Sequence, residues 1–514
     1  MRVKIQVVIA FLIWCYIIYR GLSIGITQDE AHTYLLVKTN NWRQALGTTN
    51  THWLNSFFIK ILLWFPGPDR LWKIRTFPIL CWIIYAYSSI RLSSLFKNQW
   101  MGFVFFIVAI LNPFLIFYFG LGRGYAPACS FIMLSLWLAS KLVTVNEENP
   151  KKWVPVFAVA GVATLSNFAA VYFFMGLAAV FFLQLLVNKK LATIFYSSSR
   201  LFLAVVISIP VVAFGGLYLI RSMNNLWFPA TKGVINSLFG SLIQTASYFD
   251  NDSISFYESY HREGVSFLLK GEILKIYQLA GIILAVFLGI SIFYCSYVFL
   301  KSKKCSLSFL TLTSCLVIVV LNIFFHLVFN TPYLFERTTL ILYPPLALGS
   351  FCFLDSVKTN SLWLDRITNV LLSLVVIVFG LNYFKSFSLT SFSDWPVQTD
   401  TKECLDYLQH SHARTVGINE WHYSVFANYY SKAYPHEYTF KYRVLYDKQQ
   451  SAPLSRELLS GLDYLLLAPP FNDSLLKYWS VKLNFKVSGA QVLKNDSASA
   501  LGNVFPVSRV PGEH

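Results

Sequence analysis

Directly after an almost unbroken apolar run from Ile5 to Ile24 the chain reads GITQDEAHTY, which sets Asp29, Glu30 and His32 side by side at the point where a greasy segment ends. A carboxylate pair in that position has two uses. The plain one is structural: Asp29 caps a short surface helix starting at Ala31, since a carboxylate accepts from the open N–H groups of a first turn and complements the helix dipole. The chemical one is a general base at a lipid–water boundary, where partial desolvation raises a carboxylate's pKa toward the working range.

Other polar groups recur at the ends of apolar runs. His52 and Asn55 interrupt the amphipathic stretch NTHWLNSFFIKILLWF, Arg123 stands in FGLGRGYAPA, Asn167 in TLSNFAAVYF and Arg337 in PYLFERTTLILYPP. Each has an ordinary use on its own. An interfacial imidazole, an arginine snorkelling to headgroups, an asparagine capping a helix and an Arg337–Glu336 pair are all common. Taken together on one membrane face, a carboxylate pair, an imidazole and two guanidinium groups fit an anionic, lipid-linked substrate, because arginine's planar fork matches phosphate.

These residues need a scaffold, and composition says which kind. Of 514 residues 55% are hydrophobic, 17% aromatic and only 13% charged, about half the charge content of a soluble domain. Many stretches reach the ~20 apolar residues that cross a bilayer. The expected fold is a polytopic α-helical membrane protein. The net charge of +17 reads as lysines and arginines of cytoplasmic loops rather than as a nucleic-acid surface. Six of the eight cysteines, Cys15, Cys81, Cys129, Cys295, Cys315 and Cys352, lie in apolar runs. They read as small buried hydrophobes, with no disulfide framework or metal spacing.

The apolar runs predict about eleven spans, near 5–24, 72–92, 100–120, 125–143, 153–167, 169–187, 201–220, 276–299, 307–328, 338–355 and 363–384. The pair 153–167 and 169–187 also reads as one re-entrant unit. Alternate breaks are basic: Arg2/Lys4, Arg91/Lys97, Lys151/Lys152, Lys189/Lys190/Arg200, Lys301/Lys303/Lys304 and Lys358/Arg366. That bias puts the N-terminus in the cytoplasm and the C-terminus outside. Residues 1–389 then form a membrane domain with external loops 25–71 and 221–275. The mixed segment 390–514 forms a small extracytoplasmic α/β domain. In it the β-rich RTVGI, YTFKYRVLY and DYLLLAPP alternate with the helical-looking TKECLDYLQH and WHYSVFANYYSKAY.

The order of these motifs resembles the GT-C superfamily of integral-membrane glycosyltransferases, in the branch of protein O-mannosyltransferases and the aminoarabinose transferases that modify lipid A. The resemblance rests on Asp29-Glu30 after the first span, His52 ahead of apolar residues, Arg75-Thr-Phe-Pro78, Pro113-Phe114 followed by Arg123-Gly-Tyr125-Ala126, and the late FERTTLILYPPLAL. It covers about residues 1–385. Where the family has His-Pro-Pro, this chain has His52-Trp53-Leu54, which leaves the acceptor side open. The resemblance implies a polyprenyl-phosphate sugar donor and an acceptor hydroxyl on a protein, lipid or glycan. It implies inversion, with Asp29 as base and Glu30 orienting the acceptor or a neighbouring arginine. Substrate contacts would fall to His52, Asn55, Arg75, Arg123, Tyr125, Asn167 and Arg337. No cofactor is expected; Asp250 and Asp252 form an Asp-x-Asp that leaves a divalent metal open.

The rival reading is a transporter or flippase of a lipid-linked glycan. Such proteins carry intramembrane charges and often inverted repeats; this sequence has no visible repeat and few charges deep in its spans. A third reading, an assembly or scaffold protein, expects Asp29 to tolerate substitution. The expected location is a bacterial inner (plasma) membrane.

Overall fold

The computed structural model describes residues 2–48, 52–196, 199–222, 233–246, 265–331, 333–357, 362–387, 401–418, 421–434, 438, 440–444, 461–467, 479–484 and 491–495. Asp250, Asp252 and most of the expected loop 221–275 lie outside these residues.

Every predicted span coincides with helix. Among the described residues eight helices are long and apolar enough to cross a membrane, or nine if one bent pair is a single span. They include α1 (Arg2–Ser23), α8 (Tyr125–Thr144), α10 (Val171–Val187) and α11 (Arg200–Ser222). Further along come α13 (Val265–Ser302), α14 (Leu307–Phe329), α15 (Tyr343–Ser356) and α16 (Leu362–Lys385). The bent pair is α6 (Gln99–Ile110) and α7 (Pro113–Phe119), at 57° to each other. Asn112 causes the break: its side chain accepts from Leu115 N–H and Pro113 opens a new helix, a position where the missing proline N–H costs nothing. The other two predicted spans are α5 (Leu71–Ser93), which carries Lys73, Arg75 and Arg91, and α9 (Pro150–Ser166), of 17 residues. Both pack against the bundle along one face, while α5 keeps an outward stripe of Leu80, Ile83 and Tyr87 exposed. The protein is a multi-pass membrane protein.

One continuous apolar cluster runs through the bundle. Large side chains of α11, α13 and α16, such as Val211, Phe293 and Val370, stay on its outer surface, as lipid-facing residues do. Asn167 separates α9 from α10 with extended backbone (φ −153°, ψ 120°) and caps the 3-10 turn Phe168–Ala170, so the pair is two helices rather than one unit.

Three short helices, α2 (Gln28–Lys38), α3 (Trp42–Leu46) and α4 (Trp53–Leu63), follow α1. In α4 the polar Asn55 and Ser56 are buried, while Phe57, and Trp64 and Phe65 just beyond it, are exposed. That inverted polarity suits a helix lying along a membrane surface.

The short α12 (Ser241–Ala246) lies between α11 and α13 in the chain, and after the bundle come α17 (Thr401–His410) and α18 (Trp421–Ala433) beside a five-stranded sheet. Its strands are β1 (Thr415–Ile418), β2 (Lys441–Val444), β3 (Tyr464–Leu467), β4 (Trp479–Asn484) and β5 (Gln491–Asn495), in the order β2-β1-β3-β5-β4. Pairing is parallel across β2-β1-β3 and antiparallel across β3-β5-β4. The sheet region is joined to the bundle by a second apolar cluster, in which Ile26, Ala31 and Tyr34 meet Cys404, Phe426 and Tyr429. Asp69 pins the seam. It accepts from Tyr34 Oη at 2.8 Å, Lys38 Nζ at 2.6 Å and Lys73 Nζ at 3.0 Å, while its carbonyl accepts from Tyr429 Oη at 3.3 Å.

Candidate active site

Helix α2 starts on Thr27-x-x-Glu30, the spacing of a capping box. Thr27 Oγ1 accepts from Glu30 N–H, and Glu30 Oε2 accepts from Thr27 N–H at 2.8 Å. The cap is therefore Thr27, and the expected capping role of Asp29 falls away: the helix begins one residue before it, leaving its carboxylate to other partners.

Glu30 is wholly buried and fully engaged. Arg75 Nε donates to Oε1 at 2.7 Å, Arg75 Nη2 to Oε2 at 2.6 Å, and Gly122 N–H to Oε1 at 2.5 Å. Burial pushes this carboxyl up, but the Arg75 charge and hydrogen bonds, with those of Gly122 and Thr27, outweigh it and hold it below the ordinary 4.5. Arg75 is spent in the same knot, donating also to the carbonyls of Gly21, Ile24 and Gly25 at 3.0, 2.7 and 2.8 Å. Arg75 was expected at the substrate, and Glu30 at the acceptor or a neighbouring arginine; the geometry sets the two against each other. Their hydrogen-bonding capacity is directed into the protein, so they fasten the end of α1 to α2 and α5 rather than reach a substrate. Asn55 belongs to the same framework, donating from Nδ2 to the Gly122 carbonyl at 2.6 Å.

Asp29 looks the other way. Its Oδ2 stands 2.8 Å from Arg123 Nη1 and 3.5 Å from Arg337 Nη1. Arg123 comes from the turn before α8 and Arg337 from the 3-10 turn Glu336–Leu342 before α15. Arg123 is only 2% exposed, yet its Nη2 has no hydrogen-bond partner among the described residues. Both guanidinium groups lie near the face of Tyr125, at 5.8 and 5.9 Å from the ring centroid, a cation–π arrangement.

His52 meets Tyr125 edge to face at 4.8 Å between ring centroids. Its ring lies beside the Ser166 backbone, and Nε2 has no hydrogen-bond partner among the described residues. Burial first, then the charges of Arg123 and Arg337, hold this imidazole well below the ordinary 6.5, so it is neutral near pH 7. The approach of these parts depends on Gly124: a Cβ there would lie 1.9 Å from the Ser166 carbonyl oxygen and 2.7 Å from the His52 ring. Asn167 uses Oδ1 to accept from Ala169 N–H at 2.9 Å, and its Nδ2 carries no partner among the described residues.

His52, Tyr125, Asn167 and Thr338 form the polar end of a cavity of about 540 Å³. The remaining wall is largely apolar, including Tyr172, Phe214, Leu217 and Phe325 from α10, α11 and α14. Arg123 and Arg337 flank Tyr125, Asp29 pairs with them, and the three do not themselves line this wall. Sequence reasoning passed over His32 as a site residue. It sits one turn from Asp29, half-buried, with Nδ1 unpartnered among the described residues. Burial lowers its pKa, which Asp29 raises and Arg123 lowers further. Its i, i+3 spacing from Asp29 was the available signal. Among the described residues no group of three or more His, Cys, Asp or Glu side chains could hold a metal ion.

Fold and site together define a multi-pass helical membrane protein with a buried cationic cluster at one end of an apolar cavity, and an appended α/β sheet region. No protein-family profile matches the chain, and no curated protein matches it. Among solved structures it is similar to ArnT from Cupriavidus metallidurans, in the apo state and bound to undecaprenyl phosphate, at 11% identity. The match covers 96% of this chain and 98% of that one, with TM-scores of 0.42 and 0.44. It is also similar to the archaeal oligosaccharyltransferase AglB from Archaeoglobus fulgidus, in complex with an inhibitory peptide and a dolichol-phosphate. There the identity is 12%, the coverage 90% of this chain and 69% of that one, and the TM-score 0.40. These structures resemble the chain in outline of the fold; the chemistry below rests on its own side chains.

Proposed function

We propose that the protein is a membrane glycosyltransferase that moves a sugar from a polyprenyl-phosphate donor to an acceptor hydroxyl, with inversion. The observation that carries this reading is the pairing of Asp29 with Arg123 and Arg337 beside the polar end of an apolar cavity. A cavity walled by aromatic and aliphatic side chains suits an isoprenoid chain. A buried guanidinium with an unengaged Nη2 suits the phosphate that such a chain carries.

In the proposed reaction Asp29 accepts the proton of the acceptor hydroxyl as its oxygen attacks the anomeric carbon. The new carbon–oxygen bond forms opposite the old one, and the bond to the phosphate oxygen breaks. The lipid phosphate leaves with the electron pair, and its developing charge is met by Arg123 and Arg337, fixed in place before the reaction starts. Arg123 and Arg337 face both Asp29 and the proposed phosphate position, so the groups that meet the leaving phosphate also fix the carboxylate that takes the proton. Neutral His52 adds no competing cation. The basic breaks support a reading with this end of the bundle, and the sheet region with it, outside the cytoplasm.

The test is glycosyl transfer in proteoliposomes holding the purified full chain and polyprenyl-phosphate sugars. Conversion of donor to lipid phosphate plus a glycosylated acceptor supports the proposal. Movement of intact donor between leaflets without consumption assigns the chain to the transporter class instead.

A further inference from the structure

At the polar end of the cavity two side chains are buried, held in fixed orientation by backbone groups, and left with one unengaged polar atom each. His52 and Asn167 are both only 7% exposed. The Ser166 backbone lies beside the His52 ring; we assign the ring proton to the nitrogen facing its carbonyl. In the neutral ring the other nitrogen, Nε2, is then an acceptor, and it has no partner among the described residues. The Asn167 amide is oriented the same way, because Oδ1 must face Ala169 N–H. Its Nδ2 is a donor and likewise has no partner among the described residues. Both residues line the same cavity, together with Ser166.

An acceptor and a donor left unsatisfied in an apolar enclosure are costly unless a ligand completes them. A hydroxyl does so, since it donates and accepts at once. We propose that His52 and Asn167 are a hydroxyl-reading pair that recognises an uncharged hydroxylated ring at the polar end of this cavity. The inference rests on the glycosyltransferase reading for its context and narrows the substrate class within it: a neutral sugar rather than a cationic amino sugar. Charge supports the choice. Arg123 and Arg337 both act on His52 against protonation, and the potential that opposes an imidazolium there opposes an ammonium group as well. The ring belongs either to the lipid-linked donor or to a glycan acceptor, which the test separates.

Binding is measured to the full chain in nanodiscs with four probes: undecaprenyl phosphate, undecaprenyl phosphate bearing mannose, the same lipid bearing aminoarabinose, and methyl mannoside added beside the bare lipid. The parent protein is expected to bind the mannosyl lipid roughly tenfold more tightly than the bare lipid, the scale of one or two buried hydrogen bonds. His52→Phe, which keeps an aromatic ring against Tyr125 but no acceptor, should lose that gain. His52→Gln, which restores an acceptor, should recover most of it. A parent-like helical circular dichroism spectrum and a single size-exclusion peak certify the folding of both variants. Asn167→Asp keeps the cap on Ala169 and should shift preference toward the aminoarabinosyl lipid. If methyl mannoside carries the His52-dependent gain, the pair reads the acceptor ring. Equal binding of mannosyl and bare lipid with no effect of mannoside, or a parent protein that prefers aminoarabinose, overturns the inference. Failure of bare undecaprenyl phosphate to bind at all strikes the glycosyltransferase reading instead, and a His52-dependent mannoside response would survive it.

Discussion

Arg75 and Glu30 are both completely shielded from solvent and grip each other through two hydrogen bonds, Nε to Oε1 at 2.7 Å and Nη2 to Oε2 at 2.6 Å. Removing one partner of a buried pair strands the other charge, at a cost of about 3–5 kcal/mol. Glu30→Gln is therefore expected to lower thermal stability in detergent sharply. The substitution also weakens the contact with Gly122, and through it the turn that presents Arg123. A Glu30→Gln protein that melts normally but has lost turnover would return Glu30 to the chemistry.

Asp29→Asn is expected to leave donor binding intact or tighter, because it withdraws a carboxylate that faces the phosphate-binding arginines. Turnover should fall by roughly 10²–10⁴-fold, the usual scale of a general base. Measuring lipid affinity and single-turnover rate on the same preparation separates the two effects. Normal turnover in Asp29→Asn would sink the mechanism, and a dead enzyme that no longer binds lipid would make Asp29 a structural anchor.

Arg123→Lys and Arg337→Lys keep charge but lose the planar fork. Donor affinity should drop roughly tenfold in each, in line with one lost charge-assisted hydrogen bond. Arg123 is the more deeply buried, with 2% exposure against 20% for Arg337, and its replacement should also cost stability. Undecaprenyl phosphate titrations that show no change in either variant would remove the phosphate-binding role.

The pH dependence of stability has a defined sign. His52 has a folded pKa below its ordinary 6.5, so the unfolded chain takes up a proton that the folded one refuses, and stability falls as pH drops below about 6.5. Glu30 and Asp69 have folded values below 4.5 and 3.8; their contribution is complete above those values and is lost as pH falls further. The melting temperature should therefore decline in two stages on acidification. His52→Gln should reduce the upper stage, to which His32 also contributes through its lowered pKa, and leave the lower one. Groups facing His52 include Arg123 and Arg337, which stay charged throughout. A melting temperature that rises from pH 7 to 5 would contradict the burial of a neutral His52.

The orientation is open to labelling in intact cells. Ser302 and Lys432 are both exposed, and cysteine placed at each in turn should react with an impermeant reagent at position 432 and not at 302. The opposite pattern would invert the topology and put Asp29 on the cytoplasmic face.

Sequence alone determined the membrane class, the positions of the helices and the elements of the sheet region from α17 to β3. These follow from local rules: apolar length fixes a span, and alternation with turn residues fixes a strand. β4 and β5 were not anticipated; WSVKLN and QVLKN gain their strand character mainly from pairing with each other and with β3. The site was legible as a set of polar residues at helix ends only when they were taken together on one face, since each alone is common at such a position. Their division of labour was not. Asp29 and Glu30 are neighbours of one charge type, and nothing local says that Glu30 points to Arg75 and Gly122 while Asp29 points to Arg123 and Arg337. That choice is made by which face of α2 packs on α5 and which on the turn before α8, contacts between residues 45 and 92 positions apart for Glu30 alone. The hydroxyl-reading atoms of His52 and Asn167 are equally nonlocal. Only packing decides which of their polar atoms the backbone engages, and which remain for a ligand.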